Sequence, residues 1–362
     1  MRIKLLNGLD VNQKPINILI EDTKIIEVSQ ELILAKTDKI IDLENRLVMP
    51  GIIDCHTHMR DRLLNHKEDY ITGSQACARG GITTFIDMPN TKPYTITSGE
   101  LKIKKFAARS LSIVNFGFYF GSTDEAKLEE IKAASNKTLG TKIFMNDSTG
   151  KMKITDLDRL QKIIDNSQRV LFHASGEVID SIFKCKIDKN KLLYFCHVAN
   201  ESDFNKINDY RNKGYHIVME VTPHHLLLTK DMMNDSISEK LLQVKPPLAS
   251  SKDNEFLIAK LNEKSIDTIG TDHAPHLLKE KQASITYGFP GVETSLVLML
   301  ELVYQKKLSL KLIQALMVEQ PAKIFNLKDK GKIMKGYDAD LVVVDLNHPN
   351  IIKGADNYSK AK

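Results

Sequence analysis

Residues Val48–Asp61 read VMPGIIDCHTHMRD. The stretch begins apolar, through Gly51, Ile52 and Ile53, as a buried strand does. It ends abruptly in Asp54, His56, His58, Arg60 and Asp61. Along a strand alternate side chains point the same way, so His56, His58 and Arg60 share one face. Two imidazoles two residues apart on a rigid strand can clamp one metal ion, and a cation just beyond can hold an anionic ligand beside it. The competing reading is a surface strand end with two ordinary histidines. Short motifs match by chance often enough that the rest of the chain must decide.

Downstream of Gly51, strand-like and helix-like segments alternate. Strands are expected over Gly51–His58, Ile82–Asn90, Ile113–Phe120, Thr141–Met145, Val170–Ala174, Leu192–Ala199, His216–Thr222 and Asp267–Asp272. Amphipathic helices are expected over Lys67–Arg79, Ser98–Leu111, Thr123–Asn136, Thr155–Asn166, Glu177–Lys184, Glu201–Lys213, Lys252–Glu263 and Val292–Gln305. Eight alternations predict an α/β fold of parallel strands with crossover helices, and the count fits a (β/α)8 TIM barrel. An open doubly wound sheet would carry a GxGxxG turn after its first strand, and none is present. Upstream, residues 1–50 read as short strands (Ile16–Glu21, Lys24–Ser29, Lys39–Asp42), with Met49–Pro50–Gly51 as the hinge out of them. After a further helix, Lys311–Phe325, the segment KGYDADLVVVD (335–345) contains a strand at Leu341–Val344. The expected division is a barrel over 51–327 and a small β domain built from 1–50 plus 328–362.

Composition narrows the function. The 362 residues are 42% hydrophobic and 27% charged, an ordinary globular balance. The 51 basic and 46 acidic residues differ by +5 and are intermingled, so no nucleic-acid surface is expected. The N-terminal MRIKLLNGLDVNQK lacks a sustained apolar stretch, and Leu296–Val303 is interrupted by Glu301, so no secretory signal or membrane span is expected. Cys55, Cys77, Cys185 and Cys196 show no CxxC spacing and read as buried, reduced thiols of a cytoplasmic protein. A zinc role for Cys55 or Cys196, each beside a histidine, is the less favoured alternative.

The polar residues cluster at strand ends. His56 and His58 close the first strand, His173 the fifth and His197 the sixth. Asp272, His273 and His276 follow the eighth in IGTDHAPH (269–276). The C-terminal strand ends of a barrel converge on one mouth, where such enzymes place their chemistry. One histidine closing an apolar strand is usually a hydrogen-bonded core residue; four on three strands of one rim are not. Lys142, in GTKIFMND (140–147), is costly to bury as a free cation. Either its ammonium snorkels to solvent, or the amine is deprotonated and takes up carbon dioxide, giving a carbamate able to bridge two metal ions.

These residues carry a family resemblance. DCHTHMRD (54–61), GGITTFIDMPNTKP (80–93), GTKIFMND, FCHVA (195–199), VTPHHL (221–226), GTDHAPH (270–276) and GFPGVET (288–294) resemble the dihydroorotases of the amidohydrolase superfamily across nearly the whole chain. The resemblance implies a distorted barrel beside a β-sandwich-like domain made from both chain ends. It implies two Zn2+ per subunit, with His56, His58 and Asp272 on one and His173 and His197 on the other. Carboxylated Lys142 and a hydroxide would bridge them, and Asp272 would be the catalytic proton carrier. Arg60, Asn90 and His276 would bind the small-molecule substrate, dihydroorotate or N-carbamoyl-aspartate, and the backbone around Pro290 and Gly291 would close over it. A homodimer and association with an aspartate transcarbamoylase are also implied. Departures occur at Asp61–Arg62–Leu63, where the family often has Glu-Pro-Gly, and at Lys245 and Ala249 in QVKPPLAS (243–250), where it commonly has Asn or Arg, and Arg. Ser148 or Thr149, in the loop after Lys142, could close on substrate through a hydroxyl. His224 and His225 read as structural, diverging on a strand; His66 and His216 read as ordinary. The alternatives are a hydantoinase, dihydropyrimidinase or allantoinase, against which Arg60 argues, and a metal-free scaffold, against which the intact ligand set argues.

Overall fold

The first fifty residues form five strands, β1 (Arg2–Leu9), β2 (Pro15–Glu21), β3 (Lys24–Ser29), β4 (Lys39–Asp42) and β5 (Leu47–Pro50), in a computed structural model that describes residues 1–148, 150–348 and 351–361. β1 pairs antiparallel with β2, parallel with β4 over Ile3–Leu6, and parallel with β5 at Leu9. One strand serving three neighbours, with a register shift between Leu5 and Gly8, bends the sheet. It curls around its own core of Leu5, Ile18, Ile20, Ile25, Leu43 and Val48.

Gly51 alone separates β5 from β6 (Ile52–Thr57). The expected hinge at Met49–Gly51 narrows to Gly51, where the chain passes from the terminal sheet into the barrel, and it is tied down. The Gly51 N–H donates to Asp340 O at 2.7 Å, and a Cβ there would lie 2.1 Å from Thr83 Oγ1. The barrel continues with β7 (Ile82–Asp87), β8 (Asn115–Phe118), β9 (Phe120–Gly121), β10 (Thr141–Phe144), β11 (Arg169–His173), β12 (Leu192–Phe195), β13 (Ile217–Val221) and β14 (Thr268–Ile269), neighbouring strands parallel. β8 and β9 are one stave broken at Tyr119. The Leu139 N–H donates to Phe118 O and the Phe120 N–H to Gly140 O, both 2.9 Å, which makes eight staves in all. Their runs are apolar on both faces because helices cover the outside.

The barrel closes between its first and last staves. His58 N–H donates to His273 O at 2.7 Å. Asp54, 1% exposed, accepts the N–H groups of His56 and Thr271, each at 3.0 Å, and the Thr271 hydroxyl at 2.5 Å. Burial raises the Asp54 carboxyl to about 6, against the opposing pull of those Thr271 donors.

The chain then returns to its start. β15 (Leu341–Val344) pairs antiparallel with β5, Leu341 facing Pro50 and Val344 facing Leu47. Both chain ends thus share one sheet beside the barrel. The closing segment docks on the barrel flank: Tyr358 N–H donates to Glu293 at 3.0 Å, Ser359 Oγ to buried Glu68, and Lys360 Nζ to Asp69. One local expectation is corrected. His224 and His225 lie in a short helix, Pro223–Leu227, and not on a strand. Thr222 caps that helix through the His225 N–H, and Pro223 sits in its first turn, a start signal carried by the sequence itself.

Asp54→Ala would strand the buried Thr271 donors at the barrel seam. We expect a loss of about 2–4 kcal/mol in unfolding free energy, read by urea titration. A midpoint unchanged from wild type would show that the seam does not depend on this carboxylate.

Candidate active site

The mouth of the barrel opens into a cavity. Its lining includes His56, His58, Arg60, Asn90, Lys142, His173, His197 and Asp272. Eight of the expected site residues therefore meet in one place, drawn from six chain segments.

The imidazoles and the carboxylate form a donor set. His56 Nε2 and His58 Nε2 lie 3.2 and 3.0 Å from Asp272 Oδ1. Two ligand atoms on one tetrahedral zinc, each about 2.0–2.1 Å from the ion, sit roughly 3.3 Å apart. The spacing suits a shared cation. On the other side of the cavity His173 Nδ1 and His197 Nε2 are 2.8 Å apart. His197 Nδ1 is buried and has no hydrogen-bond partner among the described residues. Burial holds His58 down at about 4 and His173 at about 3, so both rings are neutral and offer lone pairs. Burial pushes the Asp272 carboxyl up, but the imidazoles of His56, His58 and His197 outweigh it and hold the group well below the usual carboxylate range.

Lys142, in the middle of β10, is fully buried. Its Nζ lies 2.8 Å from Cys196 Sγ and makes no ion pair among the described residues. A cation in that setting is costly to bury without a partner. The snorkelling alternative is excluded by the burial. Histidine and aspartate donors in one cavity fit a metal cofactor.

The donors are held from behind. His56 Nδ1 faces Glu220 Oε1 at 2.7 Å, and His58 Nδ1 faces Asn90 Oδ1 at 2.7 Å. Each acceptor keeps a proton on Nδ1 and turns the Nε2 lone pair into the cavity. Glu220, fully buried, also accepts the His197 N–H at 3.0 Å and the Tyr194 hydroxyl at 2.6 Å. A Cβ at Gly270 would lie 2.6 Å from Glu220 Oε2 and 3.0 Å from His56 Cβ, so only glycine fits beside this pair. Arg60, His197 and Asp272 all have left-handed backbone, at φ 58°, 39° and 48°. Non-glycine residues hold that conformation at a cost of about 1–3 kcal/mol, and such positions concentrate at functional sites.

The opposite wall is cationic. Arg60 is 3% exposed and lies 3.2 Å from Pro275 O through Nε and 3.2 Å from His276 Nε2 through its terminal nitrogen. Burial lowers Arg60 to about 10, which leaves it charged at neutral pH. Burial, with Arg60 and Lys67 beside it, lowers His276 to about 3 and keeps it neutral. Lys245 lines the cavity with its Nζ 4.1 Å from the centre of the Tyr287 ring.

Tyr287 and Gly288 of the closing loop line the cavity, whereas Pro290 and Gly291 lie behind it; the Gly291 N–H donates to His273 Nδ1 at 3.1 Å. His276 stands behind Arg60 and outside the lining. Ser148 is in the lining, and Thr149 falls outside the described residues. His225 is held by Thr222 Oγ1 at 2.8 Å and Pro246 O at 3.0 Å, a structural pairing, and His66 and His216 are exposed. Glu220 and Tyr194 are the participants that sequence reading overlooked, and Cys196 entered it only as a less favoured zinc ligand. The available signal was an acidic residue, Glu220, inside an otherwise apolar strand.

Comparison with known proteins agrees with this geometry. The amidohydrolase family model matches residues 47–361. A dihydroorotase from Methanosphaera stadtmanae is 33% identical over 99% of this chain and 90% of its own length. One from Pyrococcus horikoshii is 36% identical over 94% of this chain and 81% of its own. Among solved structures, the L-hydantoinase (dihydropyrimidinase) of Arthrobacter aurescens superposes with a TM-score of 0.88 at 26% identity, covering 99% of this chain and 90% of that one. Among the described residues no helix is long and apolar enough to cross a membrane. The family match over most of the chain, together with relatives sharing about a third of its residues end to end, shows that the chain belongs to the amidohydrolase family, on its dihydroorotase branch.

Proposed function

We propose that this enzyme interconverts L-dihydroorotate and N-carbamoyl-L-aspartate by reversible hydrolysis of the cyclic amide, a step of de novo pyrimidine synthesis. The observation that carries the reading is Arg60, a buried guanidinium opening onto the same cavity as the donor set. Cyclic amides without a ring carboxylate, such as those taken by hydantoinases or allantoinases, would leave that charge buried and unpaired, which is costly. A non-catalytic scaffold would have no need of the aligned donors.

In this reading His56, His58 and Asp272 would hold one zinc, His173 and His197 would hold a second, and Lys142, as its carbamate, would supply a further anionic ligand. When bound, the pair supplies Lewis acidity toward the amide carbonyl and lowers the pKa of a shared water. Asp272, kept ionised by the imidazoles around it, accepts the proton of the attacking water and passes it to the departing ring nitrogen. Arg60 pairs with the substrate carboxylate. Asn90 braces His58 through its acceptor oxygen and would also contact the substrate carboxylate. His276 braces Arg60, and the loop at Tyr287–Gly288, continuing to Pro290 and Gly291, closes the pocket. In the reverse direction the same groups orient N-carbamoyl-aspartate for ring closure. The reading extends to a homodimer in a reducing cytoplasm, supported for the compartment by four free, buried cysteines.

Turnover assays with dihydroorotate, dihydrouracil and allantoin on the zinc-loaded protein test the assignment. Dihydroorotate is the expected substrate, and activity confined to the other two would reject it. Asp272→Asn is expected to keep bound metal while kcat falls about 10²–10⁴-fold; full activity would remove the proton-carrier role. Lys142→Ala is expected to lose metal and regain part of both metal and turnover with added short carboxylic acids, and two zincs in a fully active alanine variant would exclude the bridge.

Metal uptake has a predictable pH dependence. Burial pushes the His56 imidazole down, but the carboxylates of Glu220 and Asp272 outweigh it and raise it to about 10. Zinc on His56 Nε2 must displace a proton, so apparent affinity tightens as pH rises, by roughly tenfold per unit below pH 10. Chelator competition between pH 6 and 9 reads the slope; a flat profile would show that no proton leaves.

A further inference from the structure

Lys104 sits on the buried face of the helix Ser98–Leu111, in line with Leu101 and Ala108, where an apolar residue would be expected. It is 2% exposed. Its Nζ is 2.9 Å from Asp87 Oδ2 and donates to Met88 O at 2.6 Å. Asp87, fully buried at the end of β7, accepts the Met59 N–H on Oδ1 at 2.9 Å and the Tyr70 hydroxyl on Oδ2 at 3.0 Å. Met59 is the residue between His58 and Arg60, and Met88 is two residues before Asn90. One ion pair therefore grips the backbone on both sides of the anion wall.

The segment it grips needs external support. Arg60, Asp61 and Arg62 are consecutive left-handed residues, with φ of 58°, 53° and 52°. Their unfavourable backbone persists only where neighbours over-determine it. The same helix supplies a second hold, since Glu100 pairs with Arg62. A buried ion pair contributes little net stability compared with well-packed apolar residues, so stability alone does not account for a lysine on this core face.

We infer that Asp87 and Lys104 are positioning residues for substrate recognition: together they fix the separation of Arg60 and Asn90 that a ring carboxylate requires. This rests on the proposal that those two residues bind the carboxylate. Neither Asp87 nor Lys104 lines the cavity, so both act through the backbone they hold.

Steady-state kinetics on the zinc-loaded protein test it with Lys104→Met and with the charge-neutral double variant Asp87→Asn/Lys104→Met. Metal content and melting temperature are measured alongside. The expected result is a KM for dihydroorotate raised about tenfold, with kcat within about threefold of wild type and metal content unchanged. Competitive inhibition by dihydrouracil, which has no carboxylate, should stay at the wild-type level. Arg60→Met serves as the control on the underlying reading. If it leaves KM unchanged, the carboxylate assignment fails and the inference with it. If Arg60→Met raises KM while the folded Lys104 variants do not, the inference alone is overturned. A parallel loss of kcat or metal, an equal weakening of dihydrouracil binding, or failure of both variants to fold would show that the pair serves the fold, and would equally overturn it.

Discussion

The carboxylate of Glu220 is the contact on which the rest of the centre depends. It leaves β13 at the floor of the cavity and meets three other groups: the ring of His56, the backbone N–H of His197 and the hydroxyl of Tyr194. Those groups belong to β6 and to β12 and the loop that follows it. One buried anion thus sets the relation between the donor side built on the first stave and the donor side built on the sixth. Such an anion persists in the interior only because every neighbour donates to it. Gly270 shows how little room is left, since its missing Cβ would fall on both partners at once.

A second constraint operates at the ends of the staves. The ligands and the guanidinium sit where strands stop, and three of these residues turn into left-handed backbone. Regular strands would carry their side chains past the axis; the turn aims them inward. The cost is met by contacts from outside the cavity, at Asp54, Asp87 and Lys104. The division of labour is clear: the cavity wall does the chemistry and the layer beneath it sets the angles.

Much of this was legible in the residues alone. The strand–helix alternation announced the barrel because apolar runs of strand length and helical stripes differ in period. His56, His58, His173, His197 and Asp272 stood out because polar groups closing apolar strands need an explanation. Lys142 stood out for the same reason. The supports were harder to read. Glu220 looks like one polar position in an ordinary strand until β6 and β12 are seen on either side of it. Lys104 looks like one of many helix lysines until the helix is rotated against β7. Tyr287 and Gly288, and not Pro290 and Gly291, reach the cavity because the exact path of a loop depends on tertiary contacts that spacing does not encode. His224 and His225 were placed on a strand because the Thr-Pro start signal was outweighed by the apolar run before it.

The pairing of β5 with β15 has a consequence for biogenesis. Leu47 waits for Val344, a separation of 297 positions, before its edge is covered. As the ribosome extends the chain, that edge stays open while every stave of the barrel is being made. Open edges recruit foreign strands, and contacts this distant in sequence form slowly. The nascent protein therefore carries a sticky flank through most of its synthesis, and a chaperone that shields β5 would protect the strand that leads through Gly51 into the stave bearing His56.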